Sequence, residues 1–193
     1  VKTTEMNSEI GTRSFGDDPK KVAEYVSAYV KGLESQNICS TLKHFPGQGS
    51  SSGDTHQGSV DIDSSISKLR QIDFVPFVNG MDAGADFVMI SHISVSRVTE
   101  TSEPASITDA FDMASITDKY SAGDAAVKSF EAGADIILMP EDLPGAFDAV
   151  LKRVQSGKIT EKRLNDTVQR ILKLKFQKGI MTLEDTAQKK EAE

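Results

Sequence analysis

Residues 43–56 read KHFPGQGSSSGDTH and hold two of the chain's three histidines. Lys43 and His44 close an apolar stretch, ICSTL, and a glycine- and serine-rich loop follows, ending in Asp54 and His56. Three chemistries are open to a cation, two imidazoles and a carboxylate so spaced. The first is none: a polar connection with bystander histidines, although a loop of this length between compact elements is usually functional or mobile. The second is a metal site on His44, Asp54 and His56. That spacing matches no common ligand pattern, and no cysteine or second carboxylate joins it. The third is an acid/base dyad. A carboxylate two residues before an imidazole can hold one ring nitrogen, fix the tautomer and aim the other nitrogen at a substrate. A histidine pKa of about 6.5 suits a group that first gives and then takes a proton.

A wider pattern bears on the choice. GTRSFG (11–16), KHFPGQG (43–49), DTH (54–56) and TDAFDM (108–113) occur in the order of the motifs of glycoside hydrolase family 3 and resemble them. The likeness is to its β-N-acetylhexosaminidase branch, whose loop reads similarly to KHFPGHG followed by Asp-x-His. YSAGDAAVKSFEAGADIILMP and RLNDTVQRILKLKF are similar to that family too, so the likeness covers roughly residues 10–180. The resemblance implies a retaining exo-β-N-acetylglucosaminidase that removes terminal N-acetylglucosamine from cell-wall-derived glycosides. Asp109 matches the nucleophile, which would form a covalent glycosyl-enzyme that water then cleaves. His56 matches the acid/base, with Asp54 as its partner. Arg13, Lys43 and His44 match residues that grip the sugar hydroxyls, where charged donors bind more strongly than neutral ones. The implied partner is a small carbohydrate, with no metal or organic cofactor and no assigned oligomeric state. Asp112, three residues on, is a rival for the role of Asp109. His92 reads as a core or supporting histidine, and Gln48 stands where the family often has a second histidine.

These side chains need elements to hold them. Asp18 and Pro19 form a helix start, and Val22, Val26, Tyr29, Val30 and Leu33 recur at helical spacing. Gly32 and Asn37 punctuate the exit before a strand over 38–45. A second helix begins near Ser64, carries Ile66, Leu69 and Ile72, and is interrupted or restarted at Pro76. A strand over 87–93, a helix over 122–131, a strand over 135–140 and helices over 144–156 and 160–178 follow. MDAGADFVMI (81–90) and FEAGADIILM (130–139) repeat a helix end, an Ala-Gly-Ala-Asp turn and an apolar strand. Glycine suits the left-handed turn that ends a helix, and the apolar run suits a strand buried on both faces. The expected fold is therefore parallel α/β, and a (β/α)8 TIM-barrel type more than an open sheet, since no GxGxxG fingerprint follows a strand. Chemistry then belongs at the strand ends, where Lys43, His44, His92 and Glu141 fall.

Only three strands are legible, so the expected barrel is incomplete. The chain begins just before GTRSFG, without the family's first strands. Residues 92–108 are polar, and PASI runs directly into TDAFDM where the family has a helix and an apolar strand. Asp109 is thus expected to lack a strand of its own. Residues 1–182 are read as a partial catalytic barrel domain and 183–193 as a polar tail. A non-catalytic or weakly active sugar-binding relative is the alternative function. A β-glucosidase of the same family is another, against which the DTH dyad argues.

A net charge of -7 with no basic stripe excludes a nucleic-acid surface. The single cysteine, Cys39, lies in an apolar run and reads as buried. No stretch has the length of a membrane span and none reads as a signal peptide, so a soluble chain is expected, cytoplasmic or secreted.

Overall fold

Capping decides where the helices start. In the computed structural model, which describes residues 1–3, 10–51, 60–62, 64–94 and 106–182, Asp18 Oδ1 accepts the backbone N–H groups of Lys20 and Lys21. Pro19 then opens helix α1 (Pro19–Glu34), where its missing N–H costs nothing. Asn37 takes a left-handed φ of 56° beyond the helix end, and strand β1 (Thr41–Phe45) follows. Ser65 caps helix α2 (Ile66–Gln71) through the Lys68 N–H. Pro76 lies in the first turn of a separate helix, α3 (Phe74–Asp82), so it restarts the helix rather than breaking it.

Strand β2 (Val60–Asp61) precedes α2 in the chain. Strands β3 (Phe87–Ile90), β4 (Ile93–Ser94) and β5 (Ser106–Ala110) come after α3. A one-turn helix α4 (Ala114–Thr117), helix α5 (Ala122–Glu131), strand β6 (Ala134–Leu138), helix α6 (Leu143–Gln155) and helix α7 (Glu161–Gln177) complete the described chain. The main sheet has the order β1-β3-β5-β6 and is parallel throughout. A short parallel pair, β2 with β4, stands beside it. The expected strands and long helices are present within a few residues of their expected bounds.

One expectation fails. Ser106–Ala110 is a strand, pairing Val88 with Ser106 and Ile90 with Thr108 on one side and Ala110 with Leu138 on the other. SITDA hides its nature because it has little apolar content. Buried Thr108 makes good the difference by accepting the Leu138 N–H at its Oγ1, 3.0 Å away. Asp109 therefore has a strand of its own.

The core lies between this sheet and the helices α1 and α3. Val30, Leu42, Phe77 and Val88 form its buried centre, with Val26, Phe45, Ala83 and Ala85 against it. Gly80 lets α3 press onto β1: a Cβ there would come within 2.6 Å of Leu42 Cδ2. Burying each large side chain contributes about 1.5–3 kcal/mol, so this cluster is what holds β1 level with β3.

The repeated AGAD segments share one construction. Gly84 (φ 104°) and Gly133 (φ 111°) turn the chain out of α3 and α5, and the aspartate that follows is buried beside the strand start. Asp86 accepts the Ser40 N–H at 3.1 Å and pairs with Lys178 Nζ at 3.1 Å. Lys178 also pairs with Glu34, and these two anions raise the lysine's pKa. Asp135 receives Arg163 Nη1 at 3.3 Å, Arg170 Nη2 at 2.7 Å and Thr167 Oγ1 at 2.8 Å. Arg163 further donates to the Phe130 and Ala134 carbonyls and lies over the Phe130 ring. Helix α7 is thereby tied to the beginnings of two strands. Among the described residues no helix is long and apolar enough to cross a membrane.

Burial opposes ionisation of Asp135, but the hydrogen bonds from Arg170 and Thr167 and the charges of Arg170 and Arg163 outweigh it, and its pKa falls below the usual carboxylate value. A depressed folded-state pKa stabilises the fold above the unfolded carboxylate pKa, about 3.9. That contribution is lost as pH falls through the folded value. Asp135→Ala is expected to cost about 3 kcal/mol at pH 7, the lower end for breaking a buried pair. In urea titrations the gap between parent and variant should hold from pH 7 to about pH 5 and narrow as the buffer is taken below the unfolded carboxylate pKa, about 3.9.

Candidate active site

Because the four strands of the main sheet are parallel, their C-terminal ends share one side. Register aligns them: Phe45 stands opposite Ile90, Ile90 opposite Thr108 and Ala110 opposite Leu138. His44 and Asp109, on strands separated by β3, meet across this end of the sheet. His44 Nε2 lies 3.5 Å from Asp109 Oδ2, with both side chains largely enclosed at 11% and 15% exposure. The contact is an ion pair whenever the imidazole is protonated. The other carboxylate oxygen, Asp109 Oδ1, accepts the Ala110 N–H at 2.9 Å.

Arg13, Lys43 and His44 line one cavity of about 300 Å³. Arg13 ends a short helical turn, Gly11–Arg13. Apolar residues line the cavity too, among them Val26 and Val30 of α1 and Phe77 of α3. A cavity lined by hydrocarbon and a few charged groups can orient a small polar ligand that has a nonpolar face.

The root of the loop beyond β1 rests on a carboxylate that sequence reading missed. Asp73 is 2% exposed and its Oδ1 accepts the Ser50 hydroxyl at 2.5 Å. Gly47 (φ 141°) is pressed so closely to it that a Cβ would lie 2.6 Å from that oxygen. Burial raises the Asp73 pKa, against the Ser50 hydrogen bond and the charge of Lys68. The one available signal was an acidic residue in the apolar run QIDFVPFV.

The other expected residues divide cleanly. Asp54 and His56 lie outside the described residues. Asp112 is exposed beyond the end of β5, and Glu141 is exposed after β6. Gln48 is 2% exposed within the loop root. His92 follows β3 and its Nε2 is 2.8 Å from the Ala110 carbonyl oxygen. Cys39 is half-buried, and burial followed by the charge of Asp86 pushes its thiol pKa up, away from a reactive thiolate. Among the described residues no group of three histidines, cysteines or carboxylates is placed to hold a metal ion.

Known proteins share the sequence pattern and the fold of this chain. The family description "Glycosyl hydrolase family 3 N terminal domain" matches residues 1–108 and 105–174, two segments that meet at β5. A relative named Beta-hexosaminidase LpqI from Mycobacterium bovis is 32% identical over 86% of this chain and 49% of its own. A Beta-hexosaminidase of Stenotrophomonas maltophilia is 33% identical over 76% of this chain and 50% of its own. This chain spans about half the length of these curated relatives. Among solved structures, a glycoside hydrolase family 3 beta-N-acetylglucosaminidase from Paenibacillus superposes with a TM-score of 0.87 at 29% identity, over 95% of this chain and 40% of that one. On sequence and on fold alike, the chain belongs to glycosyl hydrolase family 3 and carries the TIM-barrel-type fold of its N-terminal domain.

Proposed function

We propose that this chain is the working part of a retaining exo-β-N-acetylglucosaminidase acting on cell-wall-derived glycosides. The observation that carries the reading is the Asp109 carboxylate, at the end of a parallel strand and 3.5 Å from His44. In this mechanism Asp109 attacks the anomeric carbon while the glycosidic C–O bond breaks. His56 gives its proton to the departing oxygen. Water then attacks the glycosyl-enzyme, His56 takes the water's proton, and Asp109 leaves as a carboxylate. Asp54 holds the His56 ring in the required tautomer.

Arg13, Lys43 and His44 grip the sugar hydroxyls, a role supported by their shared cavity. The names of the relatives, beta-hexosaminidase and beta-N-acetylglucosaminidase, support the choice of sugar. The DTH at 54–56 supports it over a β-glucosidase.

Asp109→Ala should abolish release of aryl alcohol from an aryl β-N-acetylglucosaminide. His56→Ala should lower kcat by about 10²–10⁴-fold, the usual contribution of a general acid/base. Either variant turning over as fast as its parent would sink the assignment. The same assay run with the aryl β-glucoside should give much the lower kcat/KM. Titration calorimetry that finds N-acetylglucosamine bound without any turnover would instead identify a sugar-binding relative.

A further inference from the structure

We propose that His92 is a positioning residue for Asp109, acting through the Ala110 peptide; the inference rests on the reading of Asp109 as the nucleophile. The ladder between β3 and β5 ends at the pair Ile90–Thr108. Past it, the next link between the two chains is made by a side chain. His92 Nε2 lies 2.8 Å from the Ala110 carbonyl oxygen. A carbonyl only accepts, so Nε2 carries the proton, and a neutral His92 is the Nε2–H tautomer with Nδ1 bare. The ring is steadied by Phe111, whose centroid is 5.5 Å away and which is itself 3% exposed.

The result is a strand end held from both neighbours. On the β3 side His92 takes the Ala110 carbonyl. On the β6 side the Phe111 N–H donates to the Leu138 carbonyl at 3.0 Å. The peptide joining Ala110 to Phe111 is thus gripped at its oxygen and its nitrogen. Fixing that peptide fixes the residue before it, because the Ala110 N–H is the donor that Asp109 Oδ1 accepts at 2.9 Å. With Oδ1 committed, Oδ2 is the oxygen left toward His44. His92 touches neither the substrate nor the reacting atoms in this scheme; it sets which carboxylate oxygen faces them.

The test compares His92→Phe, which keeps a ring against Phe111 but has no donor, with His92→Gln, whose amide N–H can replace the lost one. A small misplacement of a reacting group can cost about 10²-fold in rate. His92→Phe should therefore lose about that much kcat with KM changed little, and His92→Gln should recover most of the loss. If Asp109→Ala is inactive while His92→Phe matches the parent, the positioning role is wrong and the nucleophile stands. If Asp109→Ala is active, the nucleophile assignment is what fails. Two nuclear magnetic resonance readouts need no turnover. Nitrogen-15 spectra of the parent should show His92 with its proton on Nε2, and an Nδ1–H tautomer would overturn the proposal. The carbon-13 resonance of the Asp109 carboxyl should move in His92→Phe and return toward the parent position in His92→Gln. An unmoved resonance would also overturn it. Should His92→Phe fail to fold, the tautomer in the parent and the kcat of His92→Gln decide.

Discussion

Two buried aspartates, Asp86 and Asp135, require cations, and α7 with the residue that follows it supplies them. A carboxylate taken out of water is costly unless it is paired and hydrogen-bonded. Each of these sits at the start of a strand, two residues after the glycine that turns the chain out of a helix. Lys178 answers Asp86, while Arg163 and Arg170 answer Asp135. One helix therefore spans the beginnings of β3 and β6. It contributes little to the core, with Thr167 its one buried residue among those described. Its ion pairs link the starts of strands that are not neighbours in the sheet.

Level strand starts place the strand ends on a common side, and there the construction changes character. The β3–β5 ladder keeps its register, but β1 shifts between Leu42 and Phe45, and β5 shifts against β6 twice, between Ser106 and Ile107 and between Ile107 and Ala110. These are the stretches that carry Lys43, His44 and Asp109. Irregular pairing re-aims side chains and is common beside active sites. Side chains take over links that the backbone no longer makes: Thr108 receives the Leu138 N–H, and His92 gives to the Ala110 carbonyl. The strand ends are thus held by side chains as well as by the backbone ladder.

The same contrast explains what could be read in the sequence. The helix caps at Asp18, Ser65 and Thr160 and the paired AGAD segments have local causes, so α1, α2, α7, β3 and β6 were legible. Strand β5 was not, because its hold on the sheet comes from neighbours distant in sequence and from a threonine hydroxyl rather than from an apolar pattern. The reasons for the AGAD aspartates were equally hidden. The repeat showed that they recur, but only the fold brings Lys178 to Asp86 and Arg163 to Asp135. Arg13, Lys43 and His44 were named as a set from their motifs, and all three are among the residues that line one cavity. Asp73 had no motif to mark it; its role depends on Gly47 and Ser50 approaching from another part of the chain.

Asp73 also shows that buried carboxylates in one fold need not act alike. Asp135 is met by arginines, and its pKa is lowered; Asp73 is met by a hydroxyl, and burial raises its pKa. By linkage the two respond to pH in opposite senses. The arginine clasp holds above the unfolded carboxylate pKa and weakens as pH falls through its folded value. A carboxyl whose folded pKa is raised favours folding when protonated, and that preference disappears as pH rises through the folded value. Above the unfolded carboxylate pKa the arginine clasp is therefore at full strength, whereas burial disfavours the ionised form of Asp73 and the Ser50 hydroxyl that it accepts offsets part of that cost. One carboxylate is thus held by opposite charges at a strand start and the other by a neutral donor at the root of the loop that leaves β1.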